Sequence, residues 1–292
     1  MLEGIIIKGI GGFYYVKTDE GIYESRARGV FREEKITPLI GDRVKIRINP
    51  EDNTGYIEEI KNRESQLLRP PVANVKQAIV VMSVKKPNIN YWLLDRFLLS
   101  IEHEKLNAVI CINKTDLITD SEKKEIKKIY EKIGYKVIFT STVDNAGIDE
   151  LKDVLKDEVT VLAGPSGVGK SSLLNVIQPD LKLETGGISN KTKRGKHTTR
   201  HVELLELDMG GYVLDTPGFS ALDLSFINKK EELRNYFKEM KDVNYLCRFD
   251  SCLHEKEPDC EIKNRLGTGV ISNSRYKNYL KFLNEIENIR RY

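Results

Sequence analysis

The sequence lacks any apolar run long enough to cross a bilayer, because a membrane-spanning helix needs about 20 consecutive apolar residues. Its first residues also lack the basic start, the apolar core and the small-residue cleavage site of a secretory signal. We therefore expect a cytoplasmic protein with no membrane partner.

The chain also has little net charge. Its 47 lysines and arginines stand against 44 acidic residues, which gives a formal charge of +3 over 292 residues. This balance excludes nucleic-acid binding through a uniformly basic surface, so any such contact requires local basic patches. The length is sufficient for about two or three domains.

Cysteine is scarce, with four residues in the chain. Disulfides are rare in cytoplasmic proteins, so metal binding or burial is expected first. Cys111 lies in an apolar run and is interpreted as a core residue. Three thiolates and an imidazole suit tetrahedral Zn²⁺, although a disulfide pair with a spare thiol is an alternative. The candidate ligands are Cys247, Cys252, His254 and Cys260.

The most specific motif is a glycine-rich segment that joins a β-branched run to an apolar pattern with helical spacing. It reads G-x-x-x-x-G-K-S, which is the phosphate-binding loop of nucleotide-binding proteins. Glycine lets the backbone N–H groups turn toward an anion. Lys170 is expected at the β- and γ-phosphates, and Ser171 at Mg²⁺. The expected nucleotide-binding residues here are Gly164, Pro165, Ser166, Gly167, Val168, Gly169, Lys170, Ser171 and Ser172.

A second motif, N-K-x-D, follows an apolar strand pattern and selects guanine. The carboxylate of Asp116 can accept both N–H donors of guanine, whereas adenine presents an acceptor in place of one donor. We expect Asn113 to brace the neighbouring loops and the aliphatic stem of Lys114 to pack on the base. Ser141 and Thr142 end the next strand, where backbone N–H groups can contact the base.

Two further segments are candidates for switches, which change conformation with the bound nucleotide. Residues 191–200 are rich in basic side chains and end near Thr198 and Thr199, which are both candidates for Mg²⁺ coordination. A solvated basic loop is the alternative. Asp215 is expected to hold Mg²⁺ through water, and the Gly218 N–H to meet the γ-phosphate.

The order of these motifs is unusual. In the usual GTPase layout the phosphate-binding loop comes first and N-K-x-D comes last, but here N-K-x-D precedes the loop. The same sheet can form if the chain has been cut and rejoined elsewhere, because surface termini often lie close together. The sequence therefore predicts a circularly permuted nucleotide-binding domain.

The regions on both sides have patterns of their own. The N-terminal segment holds five short strand-like runs bounded by turn residues, which predicts an OB-type barrel. Its aromatic and basic side chains suit RNA binding but equally suit an ordinary core and a solvated face. These side chains are Phe13, Tyr14, Tyr15, Tyr23, Arg26 and Arg28. Pro70 and Pro71 indicate a stiff extended link, after which strands alternate with helices. The C-terminal region shows helical spacing over residues 231–240 and 274–289.

These features together resemble the circularly permuted GTPases of the RsgA/YjeQ family. The resemblance rests on the phosphate-binding loop, the motif order and Lys196-His197-Thr198-Thr199-Arg200. It implies an OB-fold barrel at residues 1–65, a permuted α/β P-loop GTPase domain at 71–222 and a helical domain with one structural Zn²⁺ at 223–292. It also implies Mg²⁺ with GTP, and a protein that binds the small ribosomal subunit and its rRNA, assists late maturation and hydrolyses GTP to GDP with stimulation by the subunit. We expect the protein to be a monomer.

The residue that orients the attacking water is not the usual one. GTPases place a glutamine after D-x-x-G, but this chain has Phe219, whose ring cannot align water. His197 is our hypothesis for that role, and it matches the histidine proposed in the family. Contact of His197 with RNA or solvent is the alternative.

Two other functions are considered. The loop also resembles that of guanylate kinases, although a kinase leaves N-K-x-D and both outer domains unexplained. A binding module, in which GTP gates RNA affinity with negligible turnover, is consistent with Phe219.

Overall fold

The computed structural model describes residues 1–68, 70–183, 203–215 and 223–289. They belong to two compact units. The first draws on residues 1–78, 152–163 and 186–219, and the second on residues 79–151, 164–185 and 220–292. In the described part of the chain every helix is too short or too polar to span a bilayer.

The N-terminal region is a closed five-stranded barrel, as predicted. Its strands pair in the order β1-β2-β3-β5-β4, and a short helix, α1 (Val30–Glu33), follows β3. Alternate strand residues point inward, and Ile6, Val16 and Ile57 are fully buried. The strands are β1 (Leu2–Ile10), β2 (Phe13–Thr18), β3 (Gly21–Ala27), β4 (Arg43–Asn49) and β5 (Thr54–Ile60).

The proline-rich segment after the barrel is a hairpin and not a simple extended link. Strand β6 (Gln66–Leu68) pairs antiparallel with β7 (Pro71–Ala73). The Ala73 N–H donates to the Ile40 carbonyl at 2.8 Å, which holds the hairpin on the barrel unit. Pro71 is tolerated because the first residue of a strand need not donate a ladder bond.

The central region contains a six-stranded sheet with the order β10-β9-β8-β11-β13-β12. Its strands are β8 (Gln77–Ser83), β9 (Asn107–Asn113), β10 (Lys136–Phe139), β11 (Val159–Ala163), β12 (Leu204–Glu206) and β13 (Tyr212–Asp215). Strand β10 runs parallel to β9 and β13 runs parallel to β11, whereas β12 is antiparallel to β13. The helices of this region are α2 (Tyr91–His103), α3 (Asp120–Tyr130), α4 (Ile148–Leu155) and α5 (Lys170–Ile177). The predicted alternation of strands and helices is confirmed.

The C-terminal region is helical but more broken than its sequence suggests. It contains a 3₁₀ helix (Lys230–Tyr236), α6 (Lys238–Lys241), α7 (Glu261–Asn264) and α8 (Asn273–Ile289). The prediction of one helix over residues 231–240 is wrong, because Phe237 is extended, with φ −103° and ψ 106°. Its ring is fully buried and packs edge-on against Tyr279 at 5.3 Å. Burial of this ring therefore overrides the local helical preference.

A buried ionic network joins α2 to the C-terminal helices. The guanidinium of Arg275 donates to carboxylates of Asp95 and Glu239. Asn278 donates to the second oxygen of Asp95 at 2.6 Å, and all four side chains are buried. Because buried charges require partners, this network fixes how α8 packs on α2. The local sequence around these residues does not indicate the network.

Candidate nucleotide and metal sites

The phosphate-binding loop connects β11 to α5 and depends on its glycines. Gly164, Gly167 and Gly169 have φ angles of +132°, +80° and +100°, a region that side chains disfavour. A Cβ at Gly164 would lie 2.1 Å from the Val81 carbonyl oxygen. A Cβ at Gly169 would lie 2.4 Å from Nδ2 of Asn113. Glycine is therefore required here both by the backbone conformation and by the close approach of the segments that carry Val81 and Asn113.

The chemistry of the loop depends on its lysine and on the start of α5. Lys170 Nζ donates to the carbonyl oxygens of Gly164 at 2.8 Å and Pro165 at 2.9 Å. The ammonium group is thus folded back over the loop. Ser171 is next in the first turn of α5, where backbone N–H groups have no helical acceptor. This combination of a cation and backbone donors suits a phosphate.

The N-K-x-D motif lies directly against the phosphate-binding loop. Nδ2 of Asn113 donates to the Val168 carbonyl at 2.9 Å, across 55 residues of chain. Its Oδ1 accepts from the Thr140 hydroxyl at 3.2 Å. Lys114, which has φ +63°, donates from Nζ to the Gly167 carbonyl at 2.8 Å. Two segments far apart in sequence therefore form one site.

The loop that follows β10 reaches the same site through Ser141. The Ser141 hydroxyl donates to Oδ1 of Asp116 at 2.9 Å and accepts the Val143 N–H at 3.2 Å. Ser141 is fully buried, whereas Asp116 is exposed. Thr142 follows in the same loop and is partly buried. The sequence suggested only backbone contacts here, so the hydroxyl that orients Asp116, the carboxylate predicted to select guanine, was missed.

The order of these joined loops along the chain is that of a permuted GTPase, and comparison with known families agrees. A family model described as "RsgA GTPase" matches residues 60–225, and one described as "RsgA N-terminal domain" matches residues 3–57. The chain belongs to the RsgA GTPase family. The resemblance inferred from the motifs is therefore confirmed.

Individual members of the RsgA family match over nearly the whole chain. "Small ribosomal subunit biogenesis GTPase RsgA" of Caldanaerobacter subterraneus subsp. tengcongensis is 51% identical over 98% of this chain and 96% of the relative. The protein of the same name from Clostridium perfringens (strain SM101 / Type A) is 50% identical over 99% of both chains. These matches include the barrel and the cysteine-containing C-terminal region.

Solved structures agree in fold. YjeQ from Thermotoga maritima superposes with a TM-score of 0.83 and 39% identity, covering 97% of this chain and 98% of YjeQ. YloQ, described as a circularly permuted GTPase, gives 0.78 and 40%, covering 99% of this chain and 96% of YloQ. The predicted permutation and the barrel of the RsgA family are thus confirmed.

The predicted switch residues are described only in part. Strand β13 ends at Asp215, whose backbone is paired with that of Leu162 near the end of β11. The side chain of Asp215 lies outside the described atoms. His197, Thr198, Thr199 and Gly218 lie outside the described residues. Their roles stay predictions.

The cysteine and histidine cluster of the C-terminal region is compact and buried. The ligand atoms of Cys247, Cys252, His254 and Cys260 all lie within 4.8 Å of one another. Nδ1 of His254 lies 3.6 Å from Sγ of Cys247 and 3.4 Å from Sγ of Cys260. Tetrahedral Zn²⁺ with ordinary bond lengths separates a nitrogen and a sulfur ligand by about 3.6 Å. The donor set and its spacing therefore fit such an ion.

The neutral state of His254 also suits metal binding. Burial, helped by the positive charge of Arg234, lowers the pKa of His254 to about 4. The imidazole is therefore neutral at pH 7, as a metal ligand must be. All four cysteines of the chain are free thiols in the structure, so the disulfide alternative gains no support.

Cys111 is separate from this cluster. It lies in β9, is fully buried and contacts the Thr140 hydroxyl at 3.4 Å. Burial raises the pKa of the Cys111 thiol to about 12. The interpretation of Cys111 as a core residue is confirmed.

The barrel aromatics divide between core and surface. Tyr14 and Tyr23 pack against the apolar core of the barrel. The guanidinium of Arg26 lies 4.6 Å from the ring centroid of Phe13, and both line an open cavity of about 430 Å³ with Arg28. An aromatic ring beside guanidinium groups can stack on a base.

Proposed function

We propose that this protein is a GTPase that binds the small ribosomal subunit, assists its late maturation and hydrolyses GTP to GDP and phosphate with stimulation by the subunit. The hydrogen bond from Asn113 to the Val168 carbonyl carries the nucleotide part, because it joins the guanine motif to the phosphate-binding loop. Family membership and the names of the relatives support the ribosomal part.

The geometry supports separate roles for the loop, Asp116 and Lys114 in nucleotide binding. The backbone N–H groups of residues 164 and 166–172 would surround the phosphates, and Lys170 would move from the loop carbonyls to the β- and γ-phosphates. Asp116, oriented by Ser141, accepts both guanine donors. The stem of Lys114, held by Gly167, forms one wall of the base site.

Hydrolysis requires a positioned water and stabilisation of charge on the γ-phosphate. We assign the water to His197, because Phe219 replaces the usual glutamine. Mg²⁺ neutralises charge on the β- and γ-phosphates when bound, and Ser171, Asp215 and either Thr198 or Thr199 would hold it. The Gly218 N–H would then meet the γ-phosphate.

The C-terminal cluster is proposed to hold one structural Zn²⁺. The nitrogen-to-sulfur distances and the neutral histidine support this choice. A bound ion would supply folding energy to a region whose helices α6 and α7 have only 4 residues each. Metal analysis of purified protein should find zinc near one equivalent, and a value near zero would reject the proposal.

We assign contact with rRNA to the barrel and to the C-terminal domain. The protein is proposed to be a cytoplasmic monomer. The surface of Phe13, Arg26 and Arg28 supports this on the barrel. Lys277 and Lys281 of α8 provide basic groups in the C-terminal domain. The domain boundaries at residues 1–65, 71–222 and 223–292 remain part of the proposal.

The function is tested by phosphate release from GTP with and without small ribosomal subunits. We expect a large stimulation by small subunits and none by large subunits. Turnover that stays negligible with both would favour the binding module, in which GTP only gates RNA affinity. Conversion of GMP to GDP would favour the kinase alternative.

A further inference from the structure

Arg234 is a charged residue of the C-terminal domain that the nucleotide site does not use. It lies in the 3₁₀ helix Lys230–Tyr236 and is half-buried. Its Nη1 donates to the Cys252 carbonyl at 3.1 Å, and its Nη2 donates to the Asp250 carbonyl at 2.6 Å. One guanidinium therefore holds the backbone of a candidate metal ligand and of a residue two positions before it.

The same guanidinium has a third donor directed into the protein. Nε of Arg234 is buried and has no hydrogen-bond partner within the described part of the chain. A buried cationic donor without an acceptor is costly. A negatively charged group nearby would offset that cost.

The cluster with its metal bound would supply such a charge. Zn²⁺ with three thiolates and a neutral imidazole carries a net charge of about −1. The carboxylate of Glu257 adds another negative charge to the ligand loop, since it accepts N–H groups of Leu253, Glu255 and Lys256 at 2.7 to 3.1 Å. Arg234 is a cation with a hydrogen bond to the backbone of a ligand itself, the Cys252 carbonyl.

We propose that Arg234 is a positioning residue of the metal site, which compensates the negative charge of the metal–thiolate cluster and holds the Cys252 ligand in place. This inference rests on the proposed metal site. It predicts that Arg234 sets the affinity and the coordination geometry of the site without contacting the metal.

The test compares the full-length variants Arg234→Gln and Arg234→Lys with wild type. Zinc affinity is measured by competition with a chromophoric chelator at fixed pH. Loss of a supporting residue around a metal ligand typically weakens binding about 10- to 100-fold, so we expect that loss for Arg234→Gln. Arg234→Lys keeps the charge and should bind zinc at least about threefold more tightly than Arg234→Gln.

Arg248→Gln is the matched control. Arg248 follows the Cys247 ligand directly, but its side chain is 63% exposed and pairs with Asp259 at 3.0 Å. Removal of this charge should leave zinc affinity within about twofold of wild type, because exposed ion pairs contribute little. Equal losses in Arg234→Gln and Arg248→Gln would overturn the proposal, as would wild-type affinity in Arg234→Gln.

A spectroscopic readout separates a change at the metal from a change in folding. The absorption bands of Co²⁺ in the site report tetrahedral thiolate coordination, and Arg234→Gln should shift or weaken them. Bands identical to wild type in Arg234→Gln and Arg234→Lys would also overturn the proposal, even if either variant unfolded more easily. Failure of wild type to bind either metal would instead reject the metal site itself.

Discussion

Asn113 offers the sharpest test of how the nucleotide site is assembled. Its side chain is almost fully buried and makes two hydrogen bonds, to the Val168 carbonyl and from the Thr140 hydroxyl. Asn113→Ala leaves both partners without their bond. A buried polar group that loses its partner costs about 1–3 kcal/mol.

This cost should appear mainly in nucleotide binding. If about 2 kcal/mol is needed to keep the two loops in register, the Kd for GTP rises about 30-fold, because 1.4 kcal/mol corresponds to a factor of ten. The Kd for GDP should rise by a similar factor, since the bond fixes the phosphate-binding loop. Equilibrium binding of a fluorescent GDP analogue, with competition by GTP, measures both.

Asn175→Ala is the matched control for Asn113→Ala. Asn175 lies in α5 and exchanges two hydrogen bonds of 2.8 Å with the backbone of Leu183. Asn175→Ala therefore also removes one amide group and two hydrogen bonds. Asn175 does not, however, join the two nucleotide-binding loops. We expect a comparable loss of stability with a Kd within about threefold of wild type. If folded Asn113→Ala binds GTP as tightly as wild type, the Asn113 hydrogen bonds do not hold the two loops in register.

Three further predictions concern packing and ionisation. Gly169→Ala should abolish detectable GTP binding in a folded protein, because its Cβ would lie 2.4 Å from Nδ2 of Asn113 at a φ of +100°; calorimetric titration that finds wild-type affinity would contradict this. Arg275→Met leaves two buried carboxylates without their cation and should lower the free energy of unfolding by about 3–5 kcal/mol; urea unfolding followed by the fluorescence of the single tryptophan, Trp92, measures it, and a loss below about 1 kcal/mol would show that the network contributes little. Burial raises the pKa of Cys111 from 9.0 to about 12, so peptide mapping should find this thiol unmodified by iodoacetamide at about pH 8 until urea is added. The same shift makes the free energy of unfolding fall as pH rises above about 9, since only the unfolded thiol ionises there.

The sequence predicted the elements whose signal is local. The barrel strands follow from alternating apolar residues with turn residues between them, and the phosphate-binding loop from its glycines and Lys170. The four metal-ligand candidates were found because cysteine is rare, and three of the four cysteines lie with His254 within residues 247–260. Each of these features depends on neighbours in the chain, so pattern and composition suffice.

Other features depend on distant partners and could not be predicted. Arg275 and Asp95 are 180 residues apart, and nothing in either local sequence indicates that the charges are buried together. The Ser141 hydroxyl contacts Asp116 because the fold brings the loop after β10 beside the N-K-x-D motif. The break at Phe237 reflects the apolar cluster that receives its ring, and tertiary packing of this kind overrides helix propensity.

The central claim is that separated loops of a permuted sheet converge on one guanine nucleotide, and Asp116→Asn tests it most directly. Xanthine presents an acceptor where guanine has its exocyclic amine, and an asparagine amide can donate to it. Asp120→Asn, an exposed aspartate at the start of α3, is the control and should keep the wild-type preference for GTP. We expect the Asp116→Asn variant to bind GTP at least about 100-fold more weakly and to prefer xanthosine triphosphate, whereas an unchanged preference for GTP would show that Asp116 does not select the base.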